Sequence, residues 1–242
     1  MDNNSPLLTI DNITFSRTIK SSLFGKTKTD ILNNITFNLG HGKTIGILGE
    51  SGSGKTTLLF LIQGLLAIQK GKITIDGYNI SSIKSKEHSL LSQIIFQNVV
   101  SCFNHRYTVK HILEEPIRIH KLNNNNNSLI YEVLELAKIS KDMLNSYPKN
   151  LSGGQLQRIN IARALILKPK LLLCDEIVSA LDLSVQAQVL NTLNDIQKTR
   201  KMAIIFVSHD INVIKHMSDY VYVLKDGVIY DNFFSFENYS NL

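Results

Sequence analysis

The sequence predicts an α/β fold with a core of parallel strands, an antiparallel β subdomain and an inserted α-helical lobe. Short, continuous apolar runs occur at residues 45–48, 171–174 and 203–207, as in central parallel strands covered on both faces. Helical periodicity separates these runs, and alternating β-branched residues dominate the first part of the chain. The stretch from 98 to 165 is mostly helical in pattern, which predicts the lobe.

The first elements are predicted to be strands. Residues 7–15 and 31–39 alternate between apolar and polar side chains, and residues 72–77 form a further strand that closes on a turn. The polar stretch 21–28 between the first two is predicted to be a loop or a hairpin insert.

The helices follow from spacing of apolar residues. Residues 56–67, 156–167 and 185–197 are predicted to pack around the core strands, and 109–120, 128–137 and 155–166 to build the lobe. The asparagine run 123–127 is predicted to be a loop tip. We expect one domain over 7–235, with a core of 7–97 and 166–235, a lobe of 98–165, and tails of 1–6 and 236–242.

Composition narrows the function classes. A net charge of +6 is compatible with a nucleic-acid or phosphate-bearing ligand, but it accompanies no basic cluster interleaved with aromatic residues, so the charge alone does not decide the partner. Cys102 and Cys174 form no CxxC pair, which fits a reducing compartment. The N-terminus lacks a signal-peptide pattern, and the longest apolar stretch, 58–68, is about half a membrane span. The chain is therefore not expected to cross a bilayer.

The sequence GESGSGKTT follows the first core strand and precedes a helix, as a phosphate-binding P-loop does. Its glycines let backbone N–H groups approach an anion, and the helix N-terminus adds positive potential. Lys55 is expected to bridge the β- and γ-phosphates of a bound polyphosphate and Thr56 to bind Mg²⁺. The alternative is a glycine-rich turn without a ligand. The predicted nucleotide-binding residues here are Gly49, Glu50, Ser51, Gly52, Ser53, Gly54, Lys55, Thr56 and Thr57.

An acidic pair follows a second apolar strand, in the sequence LLLCDE. Ligands of open α/β sheets bind at the carboxyl ends of strands, so this pair is expected to face the P-loop. Asp175 is the predicted Mg²⁺ partner, direct or through water, and Glu176 the base that polarises the attacking water.

The sequence LSGGQ at 151–155 decides between classes of P-loop protein, because it resembles the signature of ABC transporter nucleotide-binding subunits. It precedes a helix and offers a second anion cradle, whose expected residues are Ser152, Gly153, Gly154 and Gln155. The alternative is an ordinary helix N-cap. The resemblance implies a P-loop NTPase core, related to RecA, and two ATP molecules bound between two subunits.

Further elements resemble this family in the expected order. Gln97 resembles the Q-loop glutamine, which reaches Mg²⁺ and senses the membrane partner, and His209 the switch histidine that hydrogen-bonds the γ-phosphate. Residues 179–182 resemble the D-loop, with Asp182 near the opposite subunit's nucleotide. Phe15, at the expected end of the first strand, is the predicted adenine-stacking residue, and core packing is the competing explanation.

Finer resemblance points to the peptide and nickel importers. Residues 97–109 are similar to a segment of these ATPases, with His105 where relatives have proline. Ile177, after the predicted base Glu176, is a second position at which relatives have proline. LSGGQLQR and Val178 are closer to nickel-type members, and the end of the sequence at Leu242 also favours nickel or metallophore cargo. An oligopeptide importer is the alternative.

The resemblance implies a peripheral protein at the cytoplasmic face of the cell membrane. Its partners would be two permease subunits, an extracytoplasmic solute-binding protein and a second ATPase subunit, identical or related. ABC ATPases acting on DNA or ribosomes are less favoured, because no coiled coil separates the motifs and one cassette is present. A kinase or GTPase would lack LSGGQ.

Overall fold

The computed structural model describes residues 5–21, 25–122 and 126–233. The strands are β1 Leu8–Ser21, β2 Gly25–Leu39, β3 Thr44–Leu48, β4 Lys70–Ile75, β5 Tyr78–Asn79, β6 Ser92–Ile95, β7 Leu171–Asp175, β8 Ala203–Ser208, β9 Tyr220–Lys225 and β10 Val228–Phe233. The α-helices are α1 Lys55–Ile62, α2 Ser85–Leu91, α3 Val109–His120, α4 Asn126–Leu136, α5 Gly153–Leu165, α6 Leu183–Arg200 and α7 Ile211–Met217.

The strands form two sheets, one antiparallel and one mainly parallel. The first has four strands in the order β2-β1-β4-β5, and the second has six in the order β10-β9-β3-β8-β7-β6. Strands β9, β3, β8, β7 and β6 run parallel, whereas β10 pairs antiparallel with β9 at the edge. The predicted α/β class is thereby confirmed, including its three central strands.

The hairpin between β1 and β2 is longer than predicted. Its pairing runs from Leu8 opposite Leu39 to Ser21 opposite Gly25. The predicted insert 21–28 is therefore mostly strand, with residues 22–24 outside the described part. Cross-strand pairing satisfies backbone N–H and C=O groups whatever the side chains, which is why polar composition did not reveal these strands.

The parallel sheet lies between two hydrophobic clusters. Leu172 and Cys174 of β7 belong to the cluster that contains the apolar faces of α3, α4 and α5. Leu171 and Leu173 belong to the other, which contains α1 and the inner face of the antiparallel sheet. This alternation places the helical lobe on one face and the β subdomain on the other. The division at residues 98 and 165 stays a prediction.

The helix ends differ from expectation for local reasons. Helix α3 has the predicted bounds, but α1 ends at Ile62, before the expected residue 67, because Gly64 has a φ of 70°. Helix α4 begins at Asn126, so the end of the asparagine run is helical, and residues 123–125 lie outside the described part. Short elements such as α2, β6 and α7 had no clear pattern in the sequence.

Candidate functional site: a nucleotide-binding site at the strand ends

The P-loop connects β3 to α1. Gly54 has a φ of 106°, and a Cβ atom there would lie 2.8 Å from Leu32 Cδ2 and 2.9 Å from the Ile31 carbonyl oxygen, so only glycine fits. The N-terminus of α1 has no side-chain cap, and its first turn carries no acidic residue. Its backbone N–H groups are therefore available to an anion.

Lys55 lies beneath this loop with only 5% of its surface exposed. Its Nζ donates to the carbonyl oxygens of Gly49 at 2.8 Å and Glu50 at 2.7 Å, and lies 3.6 Å from Glu176 Oε1. Ser53 Oγ is buried and has no hydrogen-bond partner among the described residues. A buried ammonium and an unpaired hydroxyl beside free N–H groups fit a polyphosphate.

A cavity of about 480 Å³ adjoins the loop. It is lined on one side by residues 49–53 of the P-loop, and on the other by His209, Ile211 and residues 223–226. Phe15 does not line this cavity.

A hydroxyl and a carboxylate meet next to Lys55. Thr56 Oγ1 donates to Asp175 Oδ1 at 3.2 Å. Burial raises the pKa of the Asp175 carboxyl, and the hydrogen bond from Thr56 acts against this. No group of three or more His, Cys, Asp or Glu residues in the described ranges could hold a metal. A cation here would take one hydroxyl and one carboxylate from the protein and further oxygens from phosphate or water, a donor set that suits Mg²⁺.

Glu176 is the centre of the polar contacts at this edge of the sheet. Its Oε2 accepts from Gln97 Nε2 at 3.3 Å and lies 3.2 Å from His209 Nδ1. Gln97 follows β6, Glu176 follows β7 and His209 follows β8. The structure therefore brings together Lys55, Thr56, Gln97, Asp175, Glu176 and His209, because carboxyl ends of parallel strands share one edge.

Ser179 also contacts this group, and sequence reasoning assigned it no part there. Its Oγ donates to the Glu176 carbonyl oxygen at 2.9 Å and accepts from Gln97 Nε2 at 3.3 Å. A serine three residues after the acid was the available signal, since serine hydroxyls often bond to nearby backbone.

The signature residues form a helix cap within this chain. Ser152 Oγ accepts from the Gln155 N–H at 3.3 Å, and Gln155 Oε1 accepts from the Ser152 N–H at 2.9 Å, which is a capping box. A Cβ at Gly154 would lie 2.2 Å from Val185 Cγ1, and one at Gly153 would lie 3.1 Å from Leu181 Cδ2. The close approach of Val185 on α6 thus favours glycine at position 154.

Asp182 is the N-cap residue of α6. Its carboxylate accepts from the Val185 N–H at 3.0 Å and from Ser184 Oγ at 2.7 Å, and the Val185 bond in particular lowers its pKa. Leu183 beside it is 84% exposed. No described hydrogen bond or ion pair joins Asp182 or the signature residues to this chain's own P-loop.

Phe15 differs from the expectation. It lies inside β1, opposite Leu32, and not at a strand end, because β1 continues to Ser21. Its side chain is partly buried against the cluster of α1 and the antiparallel sheet. Leu32, its cross-strand partner, lies beside Gly54 of the P-loop, so Leu32 separates Phe15 from that loop. Its role toward adenine stays a prediction, and its packing fits the competing explanation.

The profile of the family described as "ABC transporter" matches residues 32–179, more than half of the chain. The chain belongs to the ABC transporter family. Like other ABC transporter ATP-binding subunits, it binds and hydrolyses ATP. In the described part of the chain, no helix is both long enough and apolar enough to cross a membrane.

Similar ABC proteins include oligopeptide transport ATP-binding proteins. The protein OppF of Lactococcus lactis is 40% identical over 232 residues, which cover 93% of this chain and 73% of the relative. The protein OppF of Haemophilus influenzae is 38% identical over 236 residues, covering 93% and 71%. A putative oligopeptide transport ATP-binding protein of Bacillus subtilis, YkfD, is 40% identical over 210 residues, covering 84% and 64%.

Solved ABC cassettes share the fold. The ATP-binding cassette MJ0796, in a dimeric post-hydrolysis state bound to ADP and Pi, matches with a TM-score of 0.80 and 26% identity, over 93% of this chain and 97% of that one. CbiO1 of Clostridium perfringens matches with a TM-score of 0.84 and 23% identity, over 98% and 91%. The predicted P-loop NTPase fold is thereby confirmed.

Proposed function

We propose that this ATPase subunit drives an importer of oligopeptides. The observation that carries the proposal is the 40% identity to an oligopeptide transport ATP-binding protein over 93% of the chain. These relatives favour the oligopeptide alternative over the nickel cargo that Val178 and LSGGQLQR suggested. Neither detail identifies a cargo, because Val178 is buried and the helix after the signature packs in the lobe.

The P-loop residues are proposed to bind the phosphates of ATP. Lys55 would exchange the Gly49 and Glu50 carbonyl oxygens for β- and γ-phosphate oxygens, which are stronger acceptors for an ammonium group. The N–H groups of the loop and of the first turn of α1 would donate to the same phosphates. Ser53 Oγ would gain the hydrogen-bond partner that it lacks among the residues the structure describes.

Thr56, Asp175 and Gln97 are proposed to hold Mg²⁺, with Gln97 using its carbonyl oxygen Oε1. When bound, the ion neutralises charge that develops on the phosphates. Thr56 Oγ1 and Asp175 Oδ1 already lie 3.2 Å apart, so two oxygens of the set are in place.

Glu176 and His209 are proposed to act on the γ-phosphate. Glu176 would orient and deprotonate the attacking water, and a positioned base of this kind typically accelerates a reaction about 10²–10⁴-fold. His209 would turn from Glu176 Oε2 to hydrogen-bond the γ-phosphate. The two side chains release each other when nucleotide binds, which couples binding to readiness for hydrolysis.

A second ATPase subunit is proposed to complete the site. Ser152, Gly153, Gln155 and Asp182 are exposed or partly exposed and do not bond to the P-loop of their own chain. Across a dimer they would contact the nucleotide held by the partner's P-loop. Closure would exclude water, so charge interactions at about 4 Å would rise from roughly 1 toward 4 kcal/mol.

A groove between β6, α3 and α5 is proposed to bind a cytoplasmic helix of a permease subunit. It has a volume of about 280 Å³, and its lining includes Ile94, Phe96 and Ile119 together with the polar residues Asn160 and Arg163. Gln97 follows Phe96 directly, so an occupant of the groove would reach the catalytic edge. Two permeases and an extracytoplasmic solute-binding protein would complete the importer at the cytoplasmic face of the membrane. No nucleic-acid partner is proposed.

Uptake by a deletion strain tests the cargo and the ATPase together. Cells lacking this gene should take up labelled oligopeptides poorly and nickel normally, and the wild-type gene should restore peptide uptake. Glu176→Gln should not restore it, although the purified variant still binds ATP. Normal peptide uptake in the deletion strain, or a nickel defect without a peptide defect, would overturn the assigned cargo.

A further inference from the structure

The backbone of Glu176 has an unusual conformation that neighbouring groups maintain. Its φ is 47°, in the left-handed region that residues with a Cβ rarely adopt. Its N–H donates to the Val207 carbonyl oxygen at 3.1 Å. Its carbonyl oxygen accepts twice from Ser179, from the N–H at 3.2 Å and from Oγ at 2.9 Å. Ser179 thus fixes the turn that aims the Glu176 side chain at the nucleotide site.

The same hydroxyl also holds Gln97. A serine hydroxyl has one proton to donate, and here that proton goes to the Glu176 carbonyl oxygen, so Oγ accepts from Gln97 Nε2 at 3.3 Å. The second N–H of that amide reaches Glu176 Oε2, also at 3.3 Å. Gln97 and Glu176 are therefore joined directly through side chains and indirectly through Ser179.

We propose that Ser179 is a positioning residue for ATP hydrolysis, which sets the direction of the Glu176 carboxylate and transmits the position of Gln97 to it. This role lies within one chain, whereas the resemblance of 179–182 to a D-loop places this segment at the opposite subunit. The inference rests on the proposed function of Glu176. It adds a path from the permease groove to the base that runs through Phe96, Gln97 and Ser179.

Substitutions at Ser179 separate this role from simple packing. In the assembled transporter, Ser179→Ala should lower kcat for ATP hydrolysis about 10- to 100-fold, since small misplacements of a reacting group have effects of that size, with little change in KM. Ser179→Thr keeps the hydroxyl and should retain most activity. Ser179→Cys keeps the volume with weaker hydrogen bonding and should fall between. Ser82→Ala is the matched control, because the Ser82 N–H and Oγ both donate to the Asn79 carbonyl oxygen, at 3.0 and 2.8 Å, away from the site.

A double-mutant cycle tests the link to Gln97. With Gln97→Ala already present, Ser179→Ala should lower kcat by a smaller factor than in the wild type, because part of its effect passes through Gln97. Independent, multiplicative effects would overturn the proposed link. Equal kcat for Ser179→Ala and Ser82→Ala, or for Ser179→Thr and Ser179→Ala, would overturn the positioning role.

Glu176→Gln distinguishes a failure of the positioning role of Ser179 from a failure of the assignment of Glu176 as the base. If Glu176→Gln abolishes hydrolysis while Ser179→Ala hydrolyses ATP at the control rate, the inference about Ser179 fails and the base stands. If Glu176→Gln hydrolyses ATP at the wild-type rate, the base assignment itself fails.

Discussion

At the scale of single residues, the site contains a buried ammonium group, on Lys55, and a buried carboxylate, on Asp175. Lys55 is 5% exposed and Asp175 is 6% exposed, and their compensation in the free protein consists of carbonyl oxygens, one threonine hydroxyl and Glu176. Buried charges with incomplete partners are typical of sites that bind charged ligands. The site therefore offers the Lys55 ammonium to an anion and the Asp175 carboxylate to a cation.

Asp175 gives a stability prediction. Burial raises its pKa in the folded state, so the folded protein binds a proton more readily than the unfolded chain does. The ionised carboxylate then costs stability, and this cost is absent below the unfolded pKa and fully present above the folded pKa. Asp175→Asn should raise the unfolding free energy of nucleotide-free protein by about 1 kcal/mol at neutral pH, measured by urea denaturation. Equal or lower stability of the variant would contradict this.

Metal binding should show the opposite pH dependence. The Asp175 carboxylate binds Mg²⁺ in its ionised form, and its raised pKa means that protonation begins at a higher pH than for an exposed aspartate. As the pH is lowered, Mg²⁺-dependent ATP affinity should therefore begin to weaken at a pH above the ordinary pKa of aspartate. Fluorescent-nucleotide titrations at several pH values measure this, and Asp175→Asn should remove the dependence. A dependence that persists in Asp175→Asn would implicate another group.

At the scale of elements, the close contact between α5 and α6 holds Gly154 of the signature against Val185. Gly154→Ala would place a Cβ 2.2 Å from Val185 Cγ1 and should cost about 1–3 kcal/mol of stability. Val185→Ala should relieve most of this cost in the double variant. Gly40→Ala is the control, because the closest atom to its added Cβ, Lys43 Cγ, lies 3.7 Å away. Thermal unfolding measures the stability of the two single variants, the double variant and the control. Additive losses of stability in the double variant would show that the contact with Val185 does not cause the destabilisation by Gly154→Ala.

Elements with an intrinsic pattern could be predicted, and elements set by tertiary contacts could not. Strands β3, β7 and β8 are continuous apolar runs because both faces of the sheet are covered. Helix α3 has polar and apolar faces and begins at Val109, directly after its N-cap residue Thr108. The extension of β1 beyond Phe15 depends on pairing with β2, which composition did not reveal.

In the site, residues at the ends of the parallel strands could be predicted from the sequence, whereas Ser179, which a local turn places there, could not. The P-loop, Asp175, Glu176, Gln97 and His209 converge because each lies at or just after the carboxyl end of a strand in the same parallel sheet. Ser179 joins them through a local turn at Glu176, whose left-handed φ no pattern in the sequence revealed. Ser152 and Gln155 bond to each other and not to the P-loop of their own chain, which agrees with the proposal that the signature contacts a nucleotide held by another subunit.

At the scale of the whole molecule, the groove beside Gln97 should decide assembly with the permease. Ile119 is 56% exposed there, so Ile119→Asp should fold normally and lose co-purification with permease subunits from membranes. ATP binding by the isolated subunit should be unchanged. Tyr78→Asp, at a residue that is 55% exposed in the antiparallel sheet, is the matched control. Normal recovery of permease with Ile119→Asp would place the docking surface elsewhere.

We propose above all that the signature of one ATPase subunit completes the nucleotide site of the other. The most direct measurement is a structure of the assembled transporter with Glu176→Gln and bound ATP. We expect Ser152 Oγ within hydrogen-bonding distance of the γ-phosphate that the opposite subunit's P-loop holds. A transporter in which Ser152 faces solvent, or the nucleotide of its own chain, would contradict the claim.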